Sequence, residues 1–175
     1  MTILRIDVEV DDINSKVAES FDYPFVGTVE TEVPISPTID RFEYGIGLVV
    51  GPSGSGKSTI LGARGTISEE PDWYKDKSIC SHFDSVEDAQ DRLGAVGLNS
   101  IPTWMKPYHV LSNGEAFRAN LARNLVEGAL IDEFTSVVDR TVAKACAKSV
   151  RKYVDRKGLK GLVFASCHYD IIEWL

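Results

Sequence analysis

The beginning of the chain alternates apolar and polar residues. Segments 3–10 and 26–35 follow a period of two, which predicts antiparallel strands. Pro34 and Pro37 end the second segment, because proline cannot donate a hydrogen bond to a strand ladder. Residues 1–45 are therefore predicted to form a β-rich, antiparallel N-terminal part.

From Tyr44 onward the pattern changes to short apolar runs that alternate with helical segments. Such alternation is typical of a parallel sheet with crossover helices. The sequence therefore predicts an α/β fold in one domain over residues 1–175, with residues 46–175 as its core. Strands are predicted within 44–50, 77–83, 128–131 and 161–167, and helices near 57–64, 85–96, 113–126 and 140–157.

The composition fits one compact domain. The 175 residues are 43% hydrophobic, which is enough for a sizeable core. No run of about 18 apolar residues could span a bilayer, and the acidic, alternating N-terminus is unlike a secretion signal. We therefore expect a cytoplasmic protein without a membrane-spanning segment. The cysteines fit no metal-ligand spacing, and we expect reduced thiols in or near the core: Cys80, Cys146 and Cys167.

The net charge of −7 argues against general affinity for nucleic-acid phosphates. Residues 140–160 are the exception, since eight basic residues against one acidic residue give them +7, and the rest of the chain carries −14. The spacing of Lys144, Lys148 and Lys152 places them on one helix face. A solvated face that suits the helix dipole is the simpler interpretation, and a nucleic-acid or partner surface is the alternative.

A phosphate-binding motif follows the strand predicted at 44–50. It fits the pattern G-x-x-x-x-G-K-[ST] at every fixed position and opens a predicted helix. Its glycines let backbone N–H groups surround phosphates, Lys57 can reach the β- and γ-phosphates, and Ser58 can ligate Mg²⁺. We therefore predict a nucleotide-binding loop made of Gly51, Pro52, Ser53, Gly54, Ser55, Gly56, Lys57, Ser58 and Thr59.

Two carboxylates, Asp132 and Glu133, follow the short strand predicted at 128–131. The strand end would hold Asp132 near Mg²⁺, and Glu133 could accept a proton from, or orient, the water that attacks the γ-phosphate. An Asp-Glu pair alone is a weak signal. The phosphate loop upstream makes it a strong one.

A third group of polar residues begins the helix predicted at 113–126, where Ser112, Asn113, Gly114 and Glu115 precede the segment LARNL. Taken alone, Ser112 and Glu115 predict a capping box that only starts the helix. By the same reasoning, Asp139 alone predicts a helix cap and His168 alone a packed core histidine.

In this order the motifs resemble those of the ABC (ATP-binding cassette) ATPases over roughly residues 48–175. The stretch LSNGEAFRANLARNL resembles the signature motif, DEFTSVVD the Walker B motif and D-loop, and His168 in FASCHYD the switch histidine. The resemblance implies a P-loop NTPase fold, ATP and Mg²⁺ as cofactors, and an ATP-dependent homodimer in which ATP lies between two subunits. It implies Glu133 and His168 as catalytic residues, Ser58 and Asp132 as metal ligands, and Ser112, Asn113, Gly114, Glu115 and Asp139 as further nucleotide contacts.

The chain departs from transporter cassettes in three respects. Only 55 positions separate Lys57 from Ser112, so we expect a much reduced helical subdomain. Phe134 stands where transporters usually have proline, and Glu115 stands where they usually have glutamine.

The Q-loop of the family, whose glutamine ligates Mg²⁺, has no clear counterpart. Gln90 is the only glutamine in the chain, and it lies within a predicted helix instead of directly after a strand. We therefore expect His82 or Asp84, at the end of the strand predicted at 77–83, to take that place.

A closer similarity is to the soluble ABC-type ATPases of bacteria, archaea and phages, which are often fused to a predicted GNAT acetyltransferase. It rests on LGAVGLNSIPTWMKPYHVLSNGEAFRANLAR and on IDEFTSVVDRTVAK with CHYDIIEWL. The chain resembles a stand-alone minimal version of these proteins. The similarity implies a GNAT acetyltransferase or another protein client as candidate partner.

Three functions fit the motifs. The prediction is an ATPase that dimerises with ATP, separates on hydrolysis, and acts as a motor or switch. The alternatives are a nucleotide-dependent binding module with negligible turnover and a small P-loop kinase. The signature-like helix argues against the kinase, and phosphate release without an acceptor substrate would exclude it.

Overall fold

The structure is a computed structural model that describes residues 2–33 and 44–175. The chain divides into two compact units, Met1–Pro37 and Thr38–Leu175. In the described part, no helix is both long and apolar enough to cross a membrane.

The first unit is a two-stranded antiparallel sheet with one helix. Strand β1 (Thr2–Asp7) pairs with β2 (Thr28–Val33), as the period-two pattern predicts. The predicted end of β2 at Pro34 and Pro37 lies outside the described residues. Helix α1 (Asp12–Ser20) connects the strands and was not predicted; a capping box between Asp11 and Asn14 starts it.

The second unit is built on a parallel sheet of three strands in the order β3-β5-β4. These are β3 (Ile46–Val50), β4 (Leu130–Ile131) and β5 (Leu162–Ser166), each within a predicted strand. Within residues 44–175, five α-helices accompany them: α2 (Lys57–Gly62), α3 (Val86–Ala95), α4 (Ile101–Trp104), α5 (Asn113–Asn124) and α6 (Arg140–Lys157). The predicted α/β fold is confirmed, and α4 is a short helix that the pattern did not reveal.

Strand β5 forms the centre of the core because all five of its residues are buried. Leu162 and Phe164 pack into the larger apolar cluster, whereas Val163 and Ala165 pack with Leu61 and Leu130 on the other face. This alternation follows from the pleat of a strand, whose successive side chains point to opposite faces. A continuous apolar run is therefore what a strand covered on both faces requires.

Helix α6 contributes an apolar stripe to the larger cluster that includes Ala143, Cys146, Ala147, Val150 and Val154. Asp139 caps its N-terminus, and Gly158 ends it in the left-handed conformation at φ 66°. Its first and last residues match the prediction from sequence.

The prediction of a strand at 77–83 is wrong. A 3₁₀ turn at Ile79–His82 lies there, with Ile79 fully buried. The His82 ring holds this turn, since Nδ1 donates to the carbonyl of Ser78 (3.0 Å) and Nε2 accepts from the N–H of Tyr74 (3.0 Å). Local hydrogen bonds thus replace the strand ladder that the apolar pattern suggested.

The three cysteines are all free, but they differ in exposure. Cys146 is buried, and burial raises the pKa of its thiol to about 12. Cys80 is half-buried. Cys167 is exposed, so its predicted place in or near the core is wrong.

Phe134 anchors the turn after β4 to the central strand. Its N–H donates to the carbonyl of Ala165 at 2.8 Å, and its ring lies 4.6 Å from Phe164 and 6.5 Å from Phe117, between centroids. A proline at this position could not make this hydrogen bond because it lacks the N–H. Phenylalanine at position 134 therefore has a packing reason.

Phe134→Ala should lower the free energy of unfolding of the second unit by about 3–5 kcal/mol, because it removes a fully buried ring. Urea unfolding followed by tryptophan fluorescence reports on this unit alone, since all three tryptophans lie within residues 73–174. Val137→Ala is the matched control, since Val137 is 54% exposed and its truncation should cost about 0.5 kcal/mol or less. If both variants lost the same free energy of unfolding, the anchoring role of Phe134 would be contradicted.

Candidate functional site

The carboxyl ends of the three parallel strands meet at one edge of the sheet. There β3 leads into the phosphate loop, β4 into Asp132 and Glu133, and β5 into His168. Two hydrogen bonds to β5 tie its neighbours together: the N–H of Gly51 donates to the carbonyl of Ser166 (3.3 Å), and the N–H of Phe134 donates to that of Ala165 (2.8 Å). The structure thus brings three of the predicted motifs to one edge, where open α/β sheets bind ligands.

The phosphate loop has a conformation that only its glycines allow. Gly54 and Gly56 take φ of 77° and 83°, in the left-handed region that side chains disfavour. A Cβ atom at Gly51 would lie 2.5 Å from Oγ of Ser55, so a side chain there would force Ser55 to move. The tight loop and the glycine cradle are what close approach of backbone N–H groups to a phosphate requires.

The two side chains predicted to act on the phosphates and the metal lie at the start of α2. Lys57 Nζ donates to the carbonyl of Pro52 at 2.8 Å, which ties the ammonium group to the loop. Ser58 follows with an exposed side chain, and Thr59 is half-buried. The arrangement offers one cation, one hydroxyl and the first amides of α2 to an anion.

The turn after β4 is strained. Oδ1 of Asp132 accepts a hydrogen bond from the N–H of Glu133 at 2.8 Å. Glu133 and Thr135 take φ of 53° and 67°, which non-glycine residues rarely adopt. Such strain persists only where the surroundings impose it, and here Phe134, between the two, supplies that constraint. Glu133 is thereby presented with an exposed carboxylate beside Asp132.

His168 follows the end of β5, the strand that pairs with β3. The N–H of His168 donates to Oγ of Ser166 at 3.1 Å, and the Ser166 carbonyl accepts from Gly51. Its ring lies 3.7 Å from Sγ of Cys167 and has no other polar contact in the described part of the chain. Ser166 therefore links two predicted motifs, and sequence reasoning missed it; a polar residue that ends an apolar strand was its only signal.

The signature-like segment forms the capping box that its sequence suggests. The Ser112 N–H and hydroxyl both donate to Oε2 of Glu115 at 2.9 Å, and the Glu115 N–H donates to Oγ of Ser112 at 3.4 Å. The buried Thr103 hydroxyl donates to Oε1 of Glu115 at 3.2 Å. Hydrogen bonds from the Ser112 backbone and hydroxyl, in that order, lower the pKa of Glu115 below its usual value of 4.5.

The remaining predicted contacts lie close to this box. Asn113 is exposed at the first position of α5, and a Cβ atom at Gly114 would lie 3.6 Å from Cγ1 of Val138, so a side chain is tolerated there. Asp139 accepts from the N–H groups of Thr141 and Val142, as a cap of α6. No hydrogen bond joins residues 112–115 to residues 51–59 within the described part of the chain.

None of the three residues considered for the Q-loop place, the expected His82 and Asp84 and the doubted Gln90, directly follows a strand in the structure. Gln90 lies within α3, and both ring nitrogens of His82 are occupied by the local turn. Asp84 is exposed and follows that turn, not a strand. The segment that does run beside β4 is found earlier, since the N–H of Ser68 donates to the carbonyl of Leu130 at 2.7 Å.

Most of the basic segment 140–160 is paired within the chain. Arg140 and Lys144 contact Asp170, Arg156 and Lys157 contact Asp91, and Lys148 lies over the ring of Trp174. Arg140 and Lys144 lower the pKa of Asp170, and Lys157 and Arg156 lower that of Asp91. These pairs favour the interpretation of a solvated helix face over a nucleic-acid surface.

No protein-family model matches the chain, and no curated protein matches it. Solved structures do match the chain. The dimeric structure of MJ0796, a bacterial ABC transporter cassette, is 15% identical with a TM-score of 0.54, over 85% of this chain and 82% of that one. A dimeric post-hydrolysis state of the ATP-binding cassette MJ0796, bound to ADP and Pi, is 16% identical with a TM-score of 0.54 over the same shares. A bacterial Atm1-family ABC exporter with ATP bound is 15% identical with a TM-score of 0.54, over 83% of this chain and 32% of that chain. The chain therefore has the fold of these ATP-binding cassettes.

Glu115→Gln should lower the free energy of unfolding at pH 7 by about 0.5–1 kcal/mol, because it removes a negative charge at the start of α5. A carboxylate with a depressed pKa stabilises the fold above its unfolded pKa and stops doing so as pH falls through its folded pKa. The difference between parent and variant should therefore begin to shrink near pH 4.5 and vanish only below the lowered pKa that Glu115 has in the folded state, so it should be smaller at pH 3 than at pH 7. Urea unfolding at pH 7 and pH 3 measures it, with Glu173→Gln as an exposed charge-matched control. A constant difference at both pH values would contradict the capping box.

Proposed function

We propose that this chain binds and hydrolyses ATP as an ATPase of the ATP-binding cassette type, with ATP held between two copies of the chain. One observation carries the proposal: the phosphate loop, the Asp132–Glu133 turn and His168 end three adjacent parallel strands at one edge. The fold of ATP-binding cassettes, shared with the structures above, supports it.

The residues at this edge fit a nucleotide with its metal. The glycine cradle would receive the phosphates, and Lys57 would exchange the Pro52 carbonyl for phosphate oxygens. Ser58 and Asp132 would hold Mg²⁺. Asp132 would bind the ion through Oδ2, because Oδ1 already accepts a hydrogen bond from the Glu133 N–H. When bound, Mg²⁺ supplies charge neutralisation at the β- and γ-phosphates.

Glu133 and His168 are proposed as the catalytic residues. Glu133 follows Asp132 directly, and its strained backbone presents an exposed carboxylate that can accept a proton from the attacking water. His168 follows β5, the strand between the other two, and its half-buried ring can donate to the charge that develops on the γ-phosphate.

In the proposed dimer, the signature-like segment at residues 112–115 would have a function beyond capping α5. The capping box uses the N–H of Glu115, the third residue of α5. It leaves the N–H groups of Asn113 and Gly114 without acceptors within the helix. A phosphate carried by a second copy would meet these amides and the positive end of α5. The Ser112 hydroxyl could turn from Glu115 toward it. Two of the similar solved structures are dimeric cassettes, which supports this arrangement. A GNAT acetyltransferase or other client remains a prediction from sequence.

Lys57→Ala should weaken binding of a fluorescent ATP analogue by about 10- to 100-fold, since a charged hydrogen-bond donor is worth roughly 1.5–3 kcal/mol. Within the described residues the Lys57 ammonium group donates only to a loop carbonyl, that of Pro52, so the melting temperature should change little. Lys152→Ala, on the exposed face of α6, removes the same charge and should bind like the parent. Parent-like affinity in Lys57→Ala would refute the nucleotide site.

Glu133→Gln should release phosphate from ATP far more slowly than the parent and should accumulate as a dimer in Mg-ATP. It retains Asp132 for the metal but removes the proton acceptor. Because ATP would be buried between two chains, binding and dimerisation are linked by mass action. Light scattering should give about twice the monomer mass with Mg-ATP and the monomer mass without it.

Gly114→Asp, added to Glu133→Gln, should prevent this dimer by placing a carboxylate against the γ-phosphate of the second copy. Gly114→Asn is the matched control, since it adds nearly the same volume without the charge, and the space at Gly114 admits a side chain. A Glu133→Gln protein that stays monomeric in saturating Mg-ATP would refute the shared site. If the parent binds ATP and dimerises but releases no phosphate above background, the chain is a binding module instead.

A further inference from the structure

The segment after β5 holds His168 through few contacts of its own. His168 directly precedes a 3₁₀ turn at Tyr169–Ile171. Within the described residues, the only polar atom that its ring contacts is Sγ of Cys167, at 3.7 Å. Ile171 is fully buried in the larger apolar cluster and fixes one end of the turn. The direction of the ring therefore depends on what holds the rest of this turn.

Asp170, in the middle of this turn, is bound by two cations of α6. Nε of Arg140 donates to Oδ2 of Asp170 at 3.2 Å, and Nη2 of Arg140 donates to Oδ1. Nζ of Lys144 lies 3.5 Å from Oδ2. The hydrogen bond from Arg140 is the main cause of the lowered pKa of Asp170, so the carboxylate stays ionised at neutral pH. A two-pronged contact between a guanidinium and a carboxylate also fixes the relative orientation of the two groups.

Arg140 lies at a fixed point of the fold, since it is the first residue of α6. Asp139, directly before it, caps the helix and accepts from the N–H groups of Thr141 and Val142. The backbone of Arg140 is therefore held at the start of an 18-residue helix whose apolar stripe packs in the core. Through Arg140, this helix start is bound to the turn that follows His168.

Stability alone does not account for this ion pair. The side chains of Arg140 and Asp170 are 36% and 38% exposed, and ion pairs at such positions contribute little to stability. Nη1 of Arg140 is buried and has no hydrogen-bond partner within the described residues, which is destabilising. What the pair does provide is a defined geometry between α6 and the turn at Tyr169–Ile171.

We propose that Arg140 is a positioning residue for His168, because its contact with Asp170 fixes the turn that aims the imidazole ring. This inference rests on the proposed function, in which His168 donates to the charge that develops on the γ-phosphate. The hydrogen bonds of the ion pair involve no residue of the phosphate loop, so ATP affinity should not depend on it. Turnover should depend on it, because displacing a catalytic group by about 1 Å can lower a rate by about 100-fold.

Arg140→Ala should lower kcat for phosphate release by about tenfold and leave the half-saturating ATP concentration near that of the parent. His168→Ala should lower kcat by about 100-fold, as the loss of a donor to a developing charge does. The double variant should be no slower than His168→Ala alone, because Arg140 acts through that ring. A merely structural role would instead make the two losses multiply.

NMR of the imidazole groups tests the same link without ATP. The chain has only three histidines, His82, His109 and His168, so their ring signals can be assigned by substitution. Arg140→Ala and Asp170→Asn should each shift the His168 signals, and they should leave the His82 signals unchanged because the turn at 79–82 holds that ring. The melting curves of both variants should stay close to that of the parent.

Arg156→Ala is the matched control, since Arg156 lies on the same helix and forms an exposed ion pair with Asp91 at 3.0 Å. It should keep the kcat and the His168 signals of the parent. Unchanged His168 signals in Arg140→Ala, or losses that multiply in the double variant, would overturn the inference while leaving the proposed function intact. If the parent releases no phosphate above background, the proposed function fails, and this inference with it.

Discussion

The main chain of β5 is the element on which the rest of the site depends. On one side it pairs with β3 along five residues, and beyond that ladder the Gly51 N–H donates to the carbonyl of Ser166. On the other side the N–H of Val163 donates to Ala129, and the carbonyl of Ala165 accepts from Phe134. Because the strand is buried, water cannot replace these hydrogen bonds. The phosphate loop and the carboxylate turn are therefore held at a constant separation by one strand.

Phe134 holds the turn after β4 in its unusual backbone conformation. The turn that presents Glu133 has positive φ on both sides of Phe134, and such a turn needs an external constraint. Here the constraint comes from a hydrogen bond to β5 and from a ring packed against Phe164 and Phe117. Since Phe117 lies on α5, the same ring also connects α5 to the turn after β4.

Helix α5 has a structural role at both of its ends. Its N-terminus is capped by Ser112 and Glu115, and its C-terminal half clamps the segment from Glu69 to Trp73 beside Asp132. A helix of 12 residues is about 18 Å long and stiff. In the proposed dimer, the N-terminal end of this helix would contact the phosphate of the second copy.

The sequence by itself determined the elements and motifs whose causes are local: the capping box at Ser112, the cap at Asp139, the apolar strand β5 and the glycines of the phosphate loop. It failed at 77–83, where hydrogen bonds from the His82 ring favour a turn over a strand. The position of the segment Ser68–Trp73 was decided only by tertiary structure. Hydrogen bonds from Ser68 to Leu130 and from Asn124 to Glu69 hold it beside β4 and α5, and such contacts between distant parts of the chain leave no periodic or spacing signal in a single sequence.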